Sequence, residues 1–75
     1  MSIIILGGCG EIGRFIAGDL IKSGFDVTIA DLREIEGERL AKRLGKKASF
    51  QRLDIRHFDT LVEVLKNYKL VINNI

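Results

Sequence analysis

The decisive stretch is Ile3-Ile4-Ile5-Leu6-Gly7-Gly8-Cys9-Gly10-Glu11-Ile12-Gly13. An uninterrupted, β-branched run passes into a glycine turn and leaves it as a helix, the local geometry that offers backbone N–H groups to a pyrophosphate. In the spacing Gly8-x-Gly10-x-x-Gly13, Gly8 is expected to make the tight turn after the strand. Gly10 has no Cβ to hold phosphates away, and Gly13 lets the helix lie close to its strand. The stretch therefore predicts a dinucleotide-binding site. Eight glycines in 75 residues could produce this spacing by accident, so the neighbouring sequence has to supply the context.

Working outward, Ile3 to Leu6 does not alternate, which predicts a strand covered on both faces in the middle of a parallel sheet. From Glu11 to Ser23, Ile12, Ile16, Ala17, Leu20 and Ile21 recur at helical spacing, and Gly24 stands where a left-handed cap belongs. Phe25 to Ala30 reads as a second strand ending at Asp31. Glu34 to Leu44 reads as a helix turning Ile35, Leu40, Ala41 and Leu44 inward and stopping at Gly45, with Gly37 weakening its first turn.

Ala48 to Leu53 alternates imperfectly and suits an edge strand. Phe58 to Tyr68 reads as a third helix with Phe58, Leu61, Val62, Leu65 and Tyr68 on one face. Leu70 to Asn74 reads as a fourth, buried strand. The pattern β-α-β-α-β-α-β requires an α/β fold, a parallel sheet with right-handed crossovers. With two helices on one face and the third on the other, the strand order is 3-2-1-4, Rossmann-like, and ligands belong at the switch point between strands one and four. Residues 1–75 look like the first half of a larger nucleotide-binding domain, a fragment or a partly ordered chain.

Composition narrows the function. Hydrophobic content of 47%, charged content of 29% and no proline describe an ordinary globular chain. A net charge of +2 gives no argument for nucleic acid or membrane. No apolar run reaches the ~18 residues of a membrane span, and no signal peptide is visible, so a cytoplasmic location is the default. A single cysteine excludes an intrachain disulfide or a cysteine metal cluster.

Asp31 follows Gly13 at close to the ~20-residue spacing of the acid that accepts hydrogen bonds from the adenosine ribose. A carboxylate there repels a 2′-phosphate, which makes NAD the default cofactor, with NADP the alternative through Arg33. Asp54 ends strand three beside the expected adenine pocket, where Ile55 would line the ring; accepting from the exocyclic amine and capping the third helix both stay open. Asn73 and Asn74 close strand four as donors to ribose or phosphate, or as partners of loop backbone. Cys9 stands near a helix N-terminus that could lower its pKa, but no base partner is identifiable. His57 reads as a solvent-facing residue. The basic run Arg39, Lys42, Arg43, Lys46 and Lys47 follows Glu34, Glu36 and Glu38 on one helix, a solvated, dipole-matched arrangement.

With the glycine turn, Asp31, Leu53-Asp54-Ile55 and Val71-Ile72-Asn73-Asn74 in place, the chain resembles the N-terminal cofactor domain of the saccharopine dehydrogenase family. That family includes saccharopine reductases, lysine 6-dehydrogenase-like enzymes and carboxynorspermidine dehydrogenases. The resemblance implies that Gly8, Gly10, Glu11, Ile12 and Gly13 hold the pyrophosphate of NAD or NADP, and Asp31 and Arg33 the adenosine ribose. It likewise implies Asp54 and Ile55 at the adenine, and Asn73 and Asn74 at the middle of the cofactor. The implied reaction is hydride transfer at a carbon–nitrogen bond of a small amino-acid-like substrate, held by a domain beyond these residues; no catalytic residue falls within them, and a homodimer is left open. Two other classes share the motifs: the nucleotide-sensing modules of potassium transport systems, and the extended short-chain dehydrogenases with their Gly7-Gly8-x-Gly10 turn.

Overall fold

The computed structural model describes residues 2–75. Its elements are β1 (Ser2–Leu6), α1 (Glu11–Lys22), β2 (Asp26–Asp31), α2 (Glu34–Leu44), β3 (Ala48–Arg52), α3 (Phe58–Leu65) and β4 (Leu70–Asn73). All four strands are parallel in the order β3-β2-β1-β4, as the crossover rule requires. Ile5 pairs with Ile29 on one side and Ile72 on the other, so the isoleucine run occupies the centre of the sheet.

The two sides of β1 build two cores. Ile5, Val27 and Ile29 pack with Ala17 of α1 and Leu40 of α2, while Ile4, Leu6, Ala30 and Leu53 meet Leu61, Val64 and Leu65 of α3. Ile3, Ile4 and Ile5 are at most 1% exposed, which is why the run carries no polar residue. On the α3 side Thr28, the one buried polar side chain among the described residues, shares a 2.9 Å hydrogen bond with Ser49 across the β2–β3 pair.

Helix ends follow their residues. Gly24 has φ +95°; its N–H donates to the Ile21 carbonyl and that of Phe25 to the Leu20 carbonyl, the paired bonds of a Schellman cap. Gly37 does not break α2. Its N–H donates to the Arg33 carbonyl at 2.9 Å, and a Cβ there would overlap the Phe50 ring, so the missing side chain is the room that ring occupies.

Four expectations are corrected. The third helix ends at Leu65, and Tyr68 reaches the core from the turn that follows, its N–H on the Leu65 carbonyl. β4 is an edge strand with Leu70 and Val71 exposed, since among the described residues no strand pairs with its outer side. Ile12, Ile35 and Phe58 do not turn inward; each is at least 66% exposed. All three lie in the first turn of a helix, which overhangs the carboxyl rim of the sheet instead of covering it. Finally, the left-handed residue of the glycine turn is Gly7, at φ +75°, and not Gly8.

Candidate functional site

The turn after β1 is held from three directions. Gly7 and Gly8 donate their N–H groups to the Ala30 carbonyl, at 2.8 and 3.3 Å, which ties the turn to the end of β2. From β4, Asn74 donates its backbone N–H to the Leu6 carbonyl at 2.9 Å and its Nδ2 to the Gly7 carbonyl at 3.4 Å. The third support is the packing of Gly8 under Ile29, where a Cβ would come within 2.7 Å of Cγ2.

The remaining glycines divide by what surrounds them. A Cβ on Gly13 would lie 2.8 Å from both the Gly7 oxygen and the Gly8 Cα, so Gly13 is what lets α1 start against the turn. A Cβ on Gly10 would meet nothing closer than the Gly7 oxygen at 3.5 Å. Gly10 has extended backbone (φ −68°, ψ 166°) that any residue adopts, and α1 begins there without a side-chain cap. The fold therefore does not need glycine at position 10; open space in front of uncapped amides does, if an anion is to approach them.

Asp31 reaches this turn directly. Its Oδ2 accepts the Cys9 N–H at 3.2 Å, fixing the acid of β2 against the glycine loop of β1. Arg33 closes on the same carboxylate: its backbone N–H and Nε donate to Oδ1 at 3.0 and 3.1 Å, and Nη2 donates to Oδ2 at 3.1 Å. Burial alone would push the Asp31 carboxyl up; the Arg33 guanidinium and the two backbone N–H groups outweigh it and hold it below the usual carboxylate range. For Cys9, buried beneath the loop, desolvation and the facing Asp31 charge push the thiol up, against the lowering expected from the helix terminus.

β3 ends on the same construction one strand further out. Arg56 donates from its backbone N–H and Nε to Asp54 Oδ1 at 3.0 and 2.9 Å, and from Nη2 to Oδ2 at 2.6 Å, which holds that carboxyl far below its usual range. His57, exposed at the N-cap of α3, lies 3.6 Å from Asp54 through Nε2. No side chain caps α3, so Asp54 is not its cap.

Between the strand ends lies a cavity of about 320 Å³. Leu32, Leu53, Ile55 and Ile75 supply its apolar walls, and Asp31, Arg33, Gly7 and Asn74 its polar ones. Of the residues singled out from sequence, Asp31, Arg33, Ile55 and Asn74 thus converge on one hollow. Gly8, Gly10 and Gly13 form the turn beside it, and Glu11 and Ile12 stand exposed in the first turn of α1. Asp54 is outside the lining, and Asn73 spends its Oδ1 on the Ile75 N–H. Sequence reading missed Gly7, Leu32, Leu53 and Ile75 as lining residues. Gly7 was legible as the first glycine after the strand, whereas the apolar walls carry no motif. No group of three His, Cys, Asp or Glu able to hold a metal occurs among the described residues.

A dinucleotide fits this arrangement: uncapped amides and an open Gly10 for the diphosphate, a carboxylate for a diol, and an apolar slot for a flat ring. Residues 3–75 match the saccharopine dehydrogenase NADP binding domain. The chain belongs to this family. As a saccharopine dehydrogenase NADP-binding domain, it is a parallel α/β domain that binds NAD(P).

The chain is also similar to a reductase and to several dehydrogenases. The chain is 37% identical over 71 residues to the glutamyl-tRNA reductase of Campylobacter fetus subsp. fetus, covering 95% of this chain and 15% of the relative. It is 38% identical over 52 residues to the 3-hydroxyacyl-CoA dehydrogenase type-2 of Drosophila melanogaster, covering 69% of this chain and 20% of the relative. Among solved structures, a Mycobacterium avium 3-hydroxyacyl-CoA dehydrogenase type-2 superposes with a TM-score of 0.81 at 28% identity, over 96% of this chain and 31% of that one. The fold is also that of a short chain dehydrogenase/reductase family protein, with a TM-score of 0.88 over 100% of this chain and 33% of that one. The chain therefore spans between about a seventh and a third of these proteins.

Proposed function

We propose that this domain serves an NAD(P)-dependent oxidoreductase, and that it holds the adenosine diphosphate half of the cofactor with NAD preferred. The observation that carries the reading is the hydrogen bond from Cys9 N–H to Asp31, which joins the phosphate-type turn and the ribose-type acid into one site. The amides of Glu11, Ile12 and Gly13 bind the diphosphate, Asp31 takes the ribose hydroxyls, and Leu32 and Ile55 flank the adenine. Bound here, the cofactor supplies hydride transfer from or to its nicotinamide. This chain's residues supply anchoring and orientation. Around the rim, Ile12, Ile35 and Phe58 leave an apolar collar suited to a further part of the protein closing over the cofactor.

The family points to a carbon–nitrogen bond of an amino-acid-like substrate as the site of reaction, held by residues outside this domain. Short-chain dehydrogenase chemistry is the second reading, favoured by the 28% identity and 0.81 TM-score to the M. avium enzyme. In both the domain does the same work. Calorimetric titration of NAD and NADP into wild type and Asp31→Ala tests the proposal. NAD is expected to weaken by roughly ten-fold or more, the loss of hydrogen bonds to a charged acceptor, and NADP to weaken less. Unchanged NAD affinity in Asp31→Ala would remove Asp31 from the site.

A further inference from the structure

We infer that Arg33 is a latch: in the free protein its guanidinium takes the two outward positions of Asp31 that the adenosine ribose requires, so NAD binds by displacing it. The inference rests on the reading that the ribose is held at Asp31. It follows from counting acceptors. A carboxylate offers about four lone-pair sites, and Asp31 receives four donors: Cys9 N–H and Arg33 Nη2 on Oδ2, Arg33 N–H and Nε on Oδ1. The carboxylate is full.

The four donors are of two kinds. Two are backbone N–H groups, one on each oxygen, and they stay whatever the Arg33 side chain does. The other two are the fork of one guanidinium, again one per oxygen, and a vicinal diol donating two O–H groups matches that pattern. Arg33 thus stands in for the ribose. The side chain is free to leave: it is 48% exposed while Asp31 is 9% exposed, and its other partner, Glu36 at 3.8 Å, lies outward on α2. Paired with Asp31, Arg33 forms part of the wall of the same cavity.

A latch of this kind has a signature opposite to that of a cofactor ligand, because removing it strengthens binding. NAD affinity, measured by calorimetry on the full-length protein, is expected to rise about two- to five-fold in Arg33→Ala, the worth of an exposed ion pair. Arg33→Gln, which keeps most of the stem, is expected to show the same gain, with circular dichroism reporting that both variants are folded. In an Asp31→Ala background the Arg33 substitution is expected to give no gain, since nothing is left to unlatch. Unchanged or weaker NAD binding in the folded Arg33 variants, or a gain that persists without Asp31, overturns the latch. Failure of wild type itself to bind NAD or NADP would instead overturn the functional reading.

Discussion

Gly10 can be tested apart from the glycines that hold the fold. In Gly10→Ala the new Cβ stands 3.5 Å from the Gly7 oxygen and 3.8 Å from Asn74 Nδ2, ordinary contacts that displace nothing. The backbone is already extended, so alanine or valine adopts it without strain. Restricting the unfolded chain stabilises by about 0.4–1 kcal/mol, and exchanging a glycine N-cap for alanine costs a similar amount, roughly 0.5–1 kcal/mol. Stability should therefore change by less than about 1 kcal/mol. Binding should not survive so well. A methyl group in front of the first amides of α1 prevents one or two hydrogen bonds to a charged oxygen, each worth about 1.5–3 kcal/mol, and every 1.4 kcal/mol is a factor of about ten in affinity. A loss of NAD affinity of ten-fold or more is expected for Gly10→Ala, and no measurable binding for Gly10→Val. Thermal melting and calorimetry on the same samples give both numbers. Retained NAD affinity would place the diphosphate elsewhere, and a large fall in melting temperature would mean that the fold, not the ligand, requires this glycine.

Two further outcomes are expected. Gly37→Ala forces the Phe50 ring from its seat against α2, since Cζ would lie 2.8 Å from the new Cβ and two other ring carbons would overlap it. A loss of about 1–3 kcal/mol by denaturant melting follows; in a Phe50→Ala background the same change should instead stabilise by up to about 1 kcal/mol through helix propensity, and a loss there would refute the packing argument. The second concerns pH. Asp31 and Asp54 both titrate below the ordinary value of 3.8, so the stability they contribute is present above that value and drains away as pH falls beneath it. Acid unfolding should be less steep in Asp31→Asn/Asp54→Asn than in wild type, and NAD affinity should show no Asp31 titration between about pH 5 and 8.

The sheet, its order and the division of helices between its faces were legible because β1 is buried on both sides and tolerates only apolar residues. Gly10 and Asp31, the two tips of the proposed site, stood out because phosphate and ribose chemistry would demand these residue types, and Asp31 is indeed tied to the glycine loop through the Cys9 N–H. Helical spacing misled at Ile12, Ile35 and Phe58, because periodicity says which face a residue shares and not whether the sheet extends beneath its turn. The turn expected of Gly8 is shared with Gly7 for a similar reason: the spacing marks glycines, and only the backbone shows that the left-handed one is Gly7. The carboxylate clips of Arg33 and Arg56 could not be foreseen, since an Asp-x-Arg triplet folds back on itself only where the strand end gives it a turn.

Cys9 gives the loop a built-in clock. It is the sole cysteine, 1% exposed beneath the turn, and a neutral thiol in that position reacts with alkylating reagents only when the segment above it lifts. In a domain of residues 1–75 the rate of labelling at fixed pH would then read the opening equilibrium of the glycine loop itself, and each ligand's grip could be ranked by how far it slows that rate.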